Sequence, residues 1–275
     1  MRSGARQAFP AATKKASLWG AFFVCAAFVL APPGARADGC RAPGPLREAS
    51  VVRVVDGDTL RLGDGRSVRL IGLNAPERGR DGRPPEPFAE AATRHLERLV
   101  AASGGQVALV SGVQGRDRYG RLLAHAFGRD GRNWEAQQLA AGLGFAVALA
   151  PNTALAQCQF AAEAGARAGG RGVWRRSPLI EAAQLRRAGF ALVRGRVERI
   201  ERNRGGVWLE LEGDLVLQVA PSVLAQFDER ALWKLRGQMV EARGWVIERR
   251  RRGSSGQGQA RWLLPLTHPA MLERR

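Results

Sequence analysis

Hydrophobic and polar positions alternate in short runs along most of this chain, and the runs stop at Gly, Asp or Asn. Residues 51–55, 59–62 and 67–72 read as strands, with Gly63-Asp64-Gly65 as a hairpin turn between the second and third. The spacing then changes. Ala92, Leu96, Leu99 and Val100 recur at helical intervals and predict a helix over 88–101. Between these parts, 79–87 is rich in Arg, Gly and Pro and reads as a mobile loop. Strand character returns at 106–113 and 122–127. Residues 133–141 and 154–168 look helical, with Gly142 a natural stop for the first of them.

After about Ser177 the pattern starts again. Residues 193–200, 207–211, 215–219, 239–248 and 262–265 alternate or run apolar, and Asn203-Arg204-Gly205-Gly206 and Gly213-Asp214 supply turns. A helical pattern over 222–235 falls between the third and fourth of these strands. Five strands with a helix in that place follow the order of an OB-type barrel. Residues 249–259 (Arg-Arg-Arg-Arg-Gly-Ser-Ser-Gly-Gln-Gly-Gln) read as a basic hairpin tip, a solvated loop or an arm for phosphate.

The first residues follow another pattern. Arg2, Arg6, Lys14 and Lys15 precede an almost wholly apolar stretch, 16–31, and Ala35-Arg36-Ala37 offers a small-x-small cleavage site. This is the layout of a secretory signal peptide over 1–37. The apolar stretch is shorter than the roughly 20 residues of a membrane span, although an uncleaved anchor is the competing reading. The expected organisation is therefore signal peptide 1–37, an N-terminal segment 38–49, a first domain 50–177 and a second 190–275. The expected location is outside the cytoplasm, periplasmic or secreted, with no stable membrane association after cleavage.

Charge narrows the class of partner. The full chain carries a net charge of +18. Without Arg2, Arg6, Lys14, Lys15 and Arg36, 38 basic residues face 25 acidic ones, a net +13. Such a balance suits a polyanion and argues against a plain protein-interaction domain. Lys stands only at 14, 15 and 234, so an arginine bias of composition contributes to the excess. Of the three cysteines, Cys25 lies in the leader. Cys40 and Cys158 remain, a pair that an oxidising compartment would join, with two separate thiols as the other reading. His95, His125 and His268 are scattered and no Cys-x-x-Cys occurs, so a zinc site is not expected.

Three segments carry the candidate chemistry: Val55-Asp56-Gly57-Asp58-Thr59-Leu60, Arg69-Leu70-Ile71-Gly72-Leu73-Asn74-Ala75-Pro76-Glu77 and Asp117-Arg118-Tyr119-Gly120-Arg121. They supply oxygen ligands for a hard cation, a carboxylate able to activate water, and guanidinium forks for phosphate. Together they resemble the thermonuclease, or staphylococcal nuclease, family over roughly 50–174. The resemblance implies an OB-fold barrel with packed helices, an α+β architecture followed here by a second, smaller OB-like β domain. Trp174 matches the tryptophan that packs the last helix in that family.

The resemblance also implies roles. Calcium would sit among Asp58, Asn74 and the Ala75 carbonyl, with Asp56 either supporting that site from behind or capping the turn. Asn74 stands where the family has an aspartate, which implies weaker calcium binding. Glu77 matches the catalytic glutamate, Arg69 and Arg121 the arginines on the scissile phosphate, and Arg118 and Tyr119 the contacts to a terminal phosphate. Tyr119 is the only tyrosine, so the stretch 144–150 lacks the tyrosines on which the family stacks a base. The implied activity is calcium-dependent hydrolysis of DNA, with RNA as a further substrate, leaving 3′-phosphate ends. The competing class is a nucleic-acid-binding module that has lost catalysis, against which Arg69, Glu77 and Arg121 are all present. No protein partner is inferred.

Overall fold

A computed structural model of the protein describes residues 39–79, 82, 84–249 and 259–275. The signal-peptide reading of 1–37, part of the 79–87 loop and nearly all of the basic tip at 249–259 lie outside the described residues. Among the described residues, no helix is long and apolar enough to cross a membrane.

Five strands close a first barrel. They are β1 (Arg47–Asp56), β2 (Thr59–Leu62), β3 (Ser67–Leu70), then, after β4 (Leu73–Asn74) and helix α1 (Ala89–Ala102), β5 (Gln106–Arg116) and β6 (Leu122–Phe127). Their order around the barrel is β1-β2-β3-β6-β5, with β3 and β6 parallel and β1 pairing back onto β5. Alternation fixes which side chains enter it. Leu60, Leu62, Val68 and Leu70 point inward and meet Leu96 of α1, Val107, Leu109, Ala124 and Ala126. Strand β1 begins at Arg47, where the alternation had suggested residue 51, because 47–50 pair with 106–109 of β5.

Helix α2 (Trp134–Ala140), strand β7 (Phe145–Ala146) and helix α3 (Ala156–Ala168) complete this part. Asn133 caps α2 by accepting the Ala136 N–H at 2.9 Å. The fully buried Glu135 is satisfied by the Ala126 N–H, the Asn133 amide and His125, which fastens α2 to β6. Cys40 and Cys158 form a disulfide that ties the start of the described chain to α3.

The second part uses the same winding. After β8 (Leu179–Glu181) come β9 (Gly189–Asn203), β10 (Gly206–Leu211), β11 (Leu215–Val219), helices α4 (Pro221–Leu224) and α5 (Glu229–Trp233), then β12 (Met239–Glu248), β13 (Trp262–Leu266) and β14 (Leu272–Arg274). β11 and β13 are parallel, and β12 pairs with β13 on one side and with β9 on the other, from Met239↔Arg196 to Val246↔Gly189. The ring β9-β10-β11-β13-β12 therefore closes in the order of the first barrel. The helical pattern over 222–235 resolves into two short helices. The chain breaks at Ala225–Asp228, and Asp228 caps a new start by accepting the Ala231 N–H.

Both parts lie in one compact unit. Val147, Ala148 and Ala156 of the first part are buried in the same cluster as Leu209, Leu217, Val240 and Leu264 of the second. Trp174 packs on Ala166 of α3 and also on Leu192 of β9, so it joins the two parts rather than serving the first alone.

Candidate active site

The turn from β1 to β2 is held on three sides. Asp56 Oδ1 accepts the Asp58 N–H at 3.0 Å, which folds Asp56-Gly57-Asp58 back on itself. Gly57 is required by contact, since a Cβ there would lie 2.6 Å from the Cβ atoms of Ala75 and Ala92. Gln138 of α2 donates to the Gly57 carbonyl at 2.7 Å.

Asp58 emerges from this turn only 5% exposed. One carboxylate oxygen accepts the Thr59 hydroxyl at 3.0 Å. The other accepts the Ala75 N–H at 2.7 Å and faces Arg69 Nη1 at 2.9 Å. Burial pushes the Asp58 carboxyl up to about 7; Arg69 opposes the rise and Asp56 adds to it.

Arg69 gathers the corner. Its Nη1 also donates to the carbonyls of Leu73 at 2.7 Å and Leu70 at 3.1 Å, and its Nη2 to Asn74 Oδ1 at 3.3 Å. Gly72, at φ 85°, turns the chain out of β3 into β4. β4 is then held by β7, in the register Leu73↔Ala146 and Asn74↔Phe145, with the Val147 N–H on the Gly72 carbonyl.

Glu77 follows Pro76, whose ring fixes one backbone angle. Its N–H donates to Glu86 Oε2 and its carbonyl accepts the Glu86 N–H, both at 2.9 Å. The side chain keeps an open side toward solvent, yet packing around the carboxyl raises its pKa and the charge of Asp56 adds to the rise. Arg69 and Arg121 pull it back. Glu77 thus lies in the field of both arginines. Arg121 is aimed by Asp117, which accepts its Nε at 2.7 Å and its N–H at 3.0 Å. Burial works against ionisation of Asp117, but the hydrogen bonds from Arg121 and the Tyr119 N–H outweigh it and hold that carboxyl below its usual range. In the same loop Arg118 donates to Tyr119 Oη at 2.6 Å and lies 4.8 Å above the ring. Tyr119 is 68% exposed.

Direct hydrogen bonds therefore bring Asp58, Arg69, Asn74 and Ala75 together. Glu77 and Arg121 stand within electrostatic reach, and Arg118 and Tyr119 occupy the exposed end of the Arg121 loop. No cluster of three or more His, Cys, Asp or Glu side chains suited to a metal occurs among the described residues. The oxygen donors that meet at the corner are instead one carboxylate, Asp58, and one amide oxygen, Asn74, while Ala75 enters it through its N–H. Asp58 and Asn74 already converge on a single cationic group, the guanidinium of Arg69. That fits a hard divalent cation completed by water. Two residues that shape the site had no role assigned from sequence. Asp117 could have been found from its opposite charge four residues before Arg121, whereas Glu86 carries no local signal.

Residues 67–176 match the family model described as staphylococcal nuclease homologue. An uncharacterized endonuclease of Escherichia coli O157:H7 is 38% identical over 86 residues, 30% of this chain and 50% of that protein. The thermonuclease of Staphylococcus hyicus is 34% identical over 80 residues, 28% and 46% of the two chains. That of Staphylococcus intermedius is 31% identical over 96 residues, 30% and 56%. The chain spans about half the length of the curated relatives it matches. Asp58 precedes the segment matched by the family model, but Arg69 and Ala75 bind it from inside that segment. Through residues 67–176, the chain is similar to the thermonuclease-like family.

Proposed function

We propose that this protein is a metal-dependent nuclease that hydrolyses phosphodiester bonds of DNA, with RNA as a further substrate. One observation carries the reading. The arginines of two separate segments, Arg69 and Arg121, both act electrostatically on the Glu77 carboxyl, and Asp58 and Asn74 meet at the guanidinium of Arg69. In this reading Glu77 takes a proton from the attacking water, and its raised pKa makes it a stronger base than an ordinary carboxylate. Arg121 and Arg69 stabilise the extra charge of the pentacoordinate phosphorus. Arg118 and Tyr119 hold a neighbouring phosphate. Calcium held by Asp58, Asn74 and the Ala75 carbonyl would offset charge on the substrate. Export to the periplasm or beyond belongs to the same proposal, supported by the pattern of residues 1–37 and by the Cys40–Cys158 disulfide.

The deciding experiment digests single-stranded DNA and RNA with the purified chain, with calcium and with excess chelator. Cutting that stops in chelator is the expected result. Undiminished cutting would overturn the metal-dependent mechanism, and binding without any cutting would favour an inactive nucleic-acid-binding module.

Asn74 gives a separate test of the corner. An amide oxygen carries only a partial charge, so Asn74→Asp adds one unit of attraction for a divalent cation. Screened by Arg69 and solvent, that should lower the calcium concentration for half-maximal activity about tenfold. Calcium-dependent thermal stabilisation should grow in parallel, because the ligand binds the folded state. Titrations of activity and melting temperature compare the two proteins. Equal midpoints would remove residue 74 from the metal site.

A further inference from the structure

Strand β7 holds the metal corner by pairing with β4, and its opposite edge is fastened by an ion pair that crosses between the two barrels. Ala146 faces Leu73 in a pair whose neighbours carry the ladder, so its own amide and carbonyl need other partners. Glu163 of α3, 3% exposed, accepts the Ala146 N–H at 2.7 Å with one oxygen. Its other oxygen meets Arg243 Nη1 at 2.6 Å, and the same nitrogen donates to the Ala146 carbonyl at 3.2 Å. Arg243 belongs to β12, is 9% exposed, and lies with its guanidinium 5.0 Å from the centre of the Phe160 ring. Both polar groups of one residue are thereby taken by one buried pair. The partner across β7 is Leu73, whose carbonyl accepts Arg69 and whose neighbours are Asn74 and Ala75.

Sequence position makes the arrangement informative. Glu163 lies inside the segment matched by the nuclease family model and Arg243 lies 67 residues beyond its end. We propose that Arg243 is a positioning residue for the metal corner: the second barrel completes the nuclease site by bracing β7, and through it β4, with a buried guanidinium. A second cross-barrel pair, Arg167 with Glu241 at 2.9 Å, makes no hydrogen bond to β7 among the described residues and serves as the internal comparison. Removing either Arg167 or Arg243 weakens the contact between barrels, but only the loss of Arg243 releases the Ala146 carbonyl and strands Glu163.

The catalytic consequence rests on the nuclease reading, while the mechanical one does not, and the test separates them. Hydrogen exchange is followed by mass spectrometry in the full-length protein without metal, for wild type, Arg243→Met, Glu163→Gln and Arg167→Met. Arg243→Met should speed exchange about tenfold in peptides covering 72–75 and 144–148, while Arg167→Met leaves them at the wild-type rate. Glu163→Gln keeps an oxygen for the Ala146 N–H but removes the charge that seats Arg243. It should speed the same peptides, and it decides the matter if Arg243→Met does not fold. Calcium titrations of melting temperature and of activity follow. Partners that orient metal ligands typically contribute 10–100-fold to affinity. The Arg243→Met midpoint should therefore rise about tenfold in both titrations, with the rate at saturating calcium retained. Unchanged exchange in both Arg243→Met and Glu163→Gln, or the same acceleration in Arg167→Met, would overturn the brace. A wild-type protein with no response to calcium would instead overturn the metal-nuclease reading, and the exchange comparison would still decide the role of Arg243.

Discussion

Glu77→Gln should lower the turnover of single-stranded DNA by about 10²–10⁴-fold, the usual contribution of a general base, with little change in binding. The amide preserves the shape of the side chain and its position after Pro76, and the backbone clamp to Glu86 does not involve the altered atoms. What disappears is the proton acceptor. The pH profile adds a second readout. The carboxylate is the active form, and crowding together with Asp56 raises its pKa, so the wild-type rate should climb with pH through a range above that of an ordinary glutamate. In the glutamine variant this limb should vanish. Intact turnover, or an unaltered pH limb, would assign the water-activating role elsewhere.

Arg121→Lys should cut kcat/KM by roughly 10²–10³-fold, the scale found when one preorganised donor to a transition-state charge is lost. Asp117 engages the Nε edge of Arg121, and the terminal nitrogens have no hydrogen-bond partner among the described residues. A planar fork is thus held by one side and left open on the other, a geometry that a lysine ammonium cannot reproduce. Arg69 offers a less clean experiment, because its guanidinium also ties Asp58 to Leu70, Leu73 and Asn74. A lysine there would disturb the corner as well as the phosphate contact. Wild-type kinetics in Arg121→Lys would reduce Arg121 to a surface charge.

Strands with period-two burial were legible in the sequence of both barrels. Leu60, Leu62, Val68 and Leu70 in the first, and Leu209 and Leu211 in the second, announce their inward faces by alternation, whereas Leu215 and Leu217 sit in an apolar run with the equally buried Val216. The first and fourth strands of the second barrel were also legible and their order implied a barrel, but the register in which β9 and β12 meet to close it was not. Closure depends on partners about forty to sixty residues apart, which periodicity does not report. β4 and β7 are two residues each, too short for any period, yet they hold Asn74. The break between α4 and α5 was hidden because Val223, Phe227 and Leu232 keep apolar spacing across it, while the Asp228 cap acts locally. At the site, residue types were legible and their contacts were not. Nothing in Arg69-Leu70-Ile71-Gly72-Leu73-Asn74 states that the arginine folds back on its own segment and on Asp58. The pairing of Glu163 with Arg243 spans 80 positions and joins a helix of one part to a strand of another.

The disulfide between Cys40 and Cys158 has a topological consequence. Asp58, Arg69, Asn74, Glu77, Arg118, Tyr119 and Arg121 all lie within the covalent loop that it closes. A single peptide-bond cut anywhere between the two cysteines, including one beside the exposed Glu86, would leave both fragments attached through sulfur. Each fragment would carry part of the site, and neither could diffuse away. Such a nicked molecule would migrate as one species until reductant is added and as two afterwards, so its tolerance of a protease would be set by the redox state of its surroundings as much as by the accessibility of its loops.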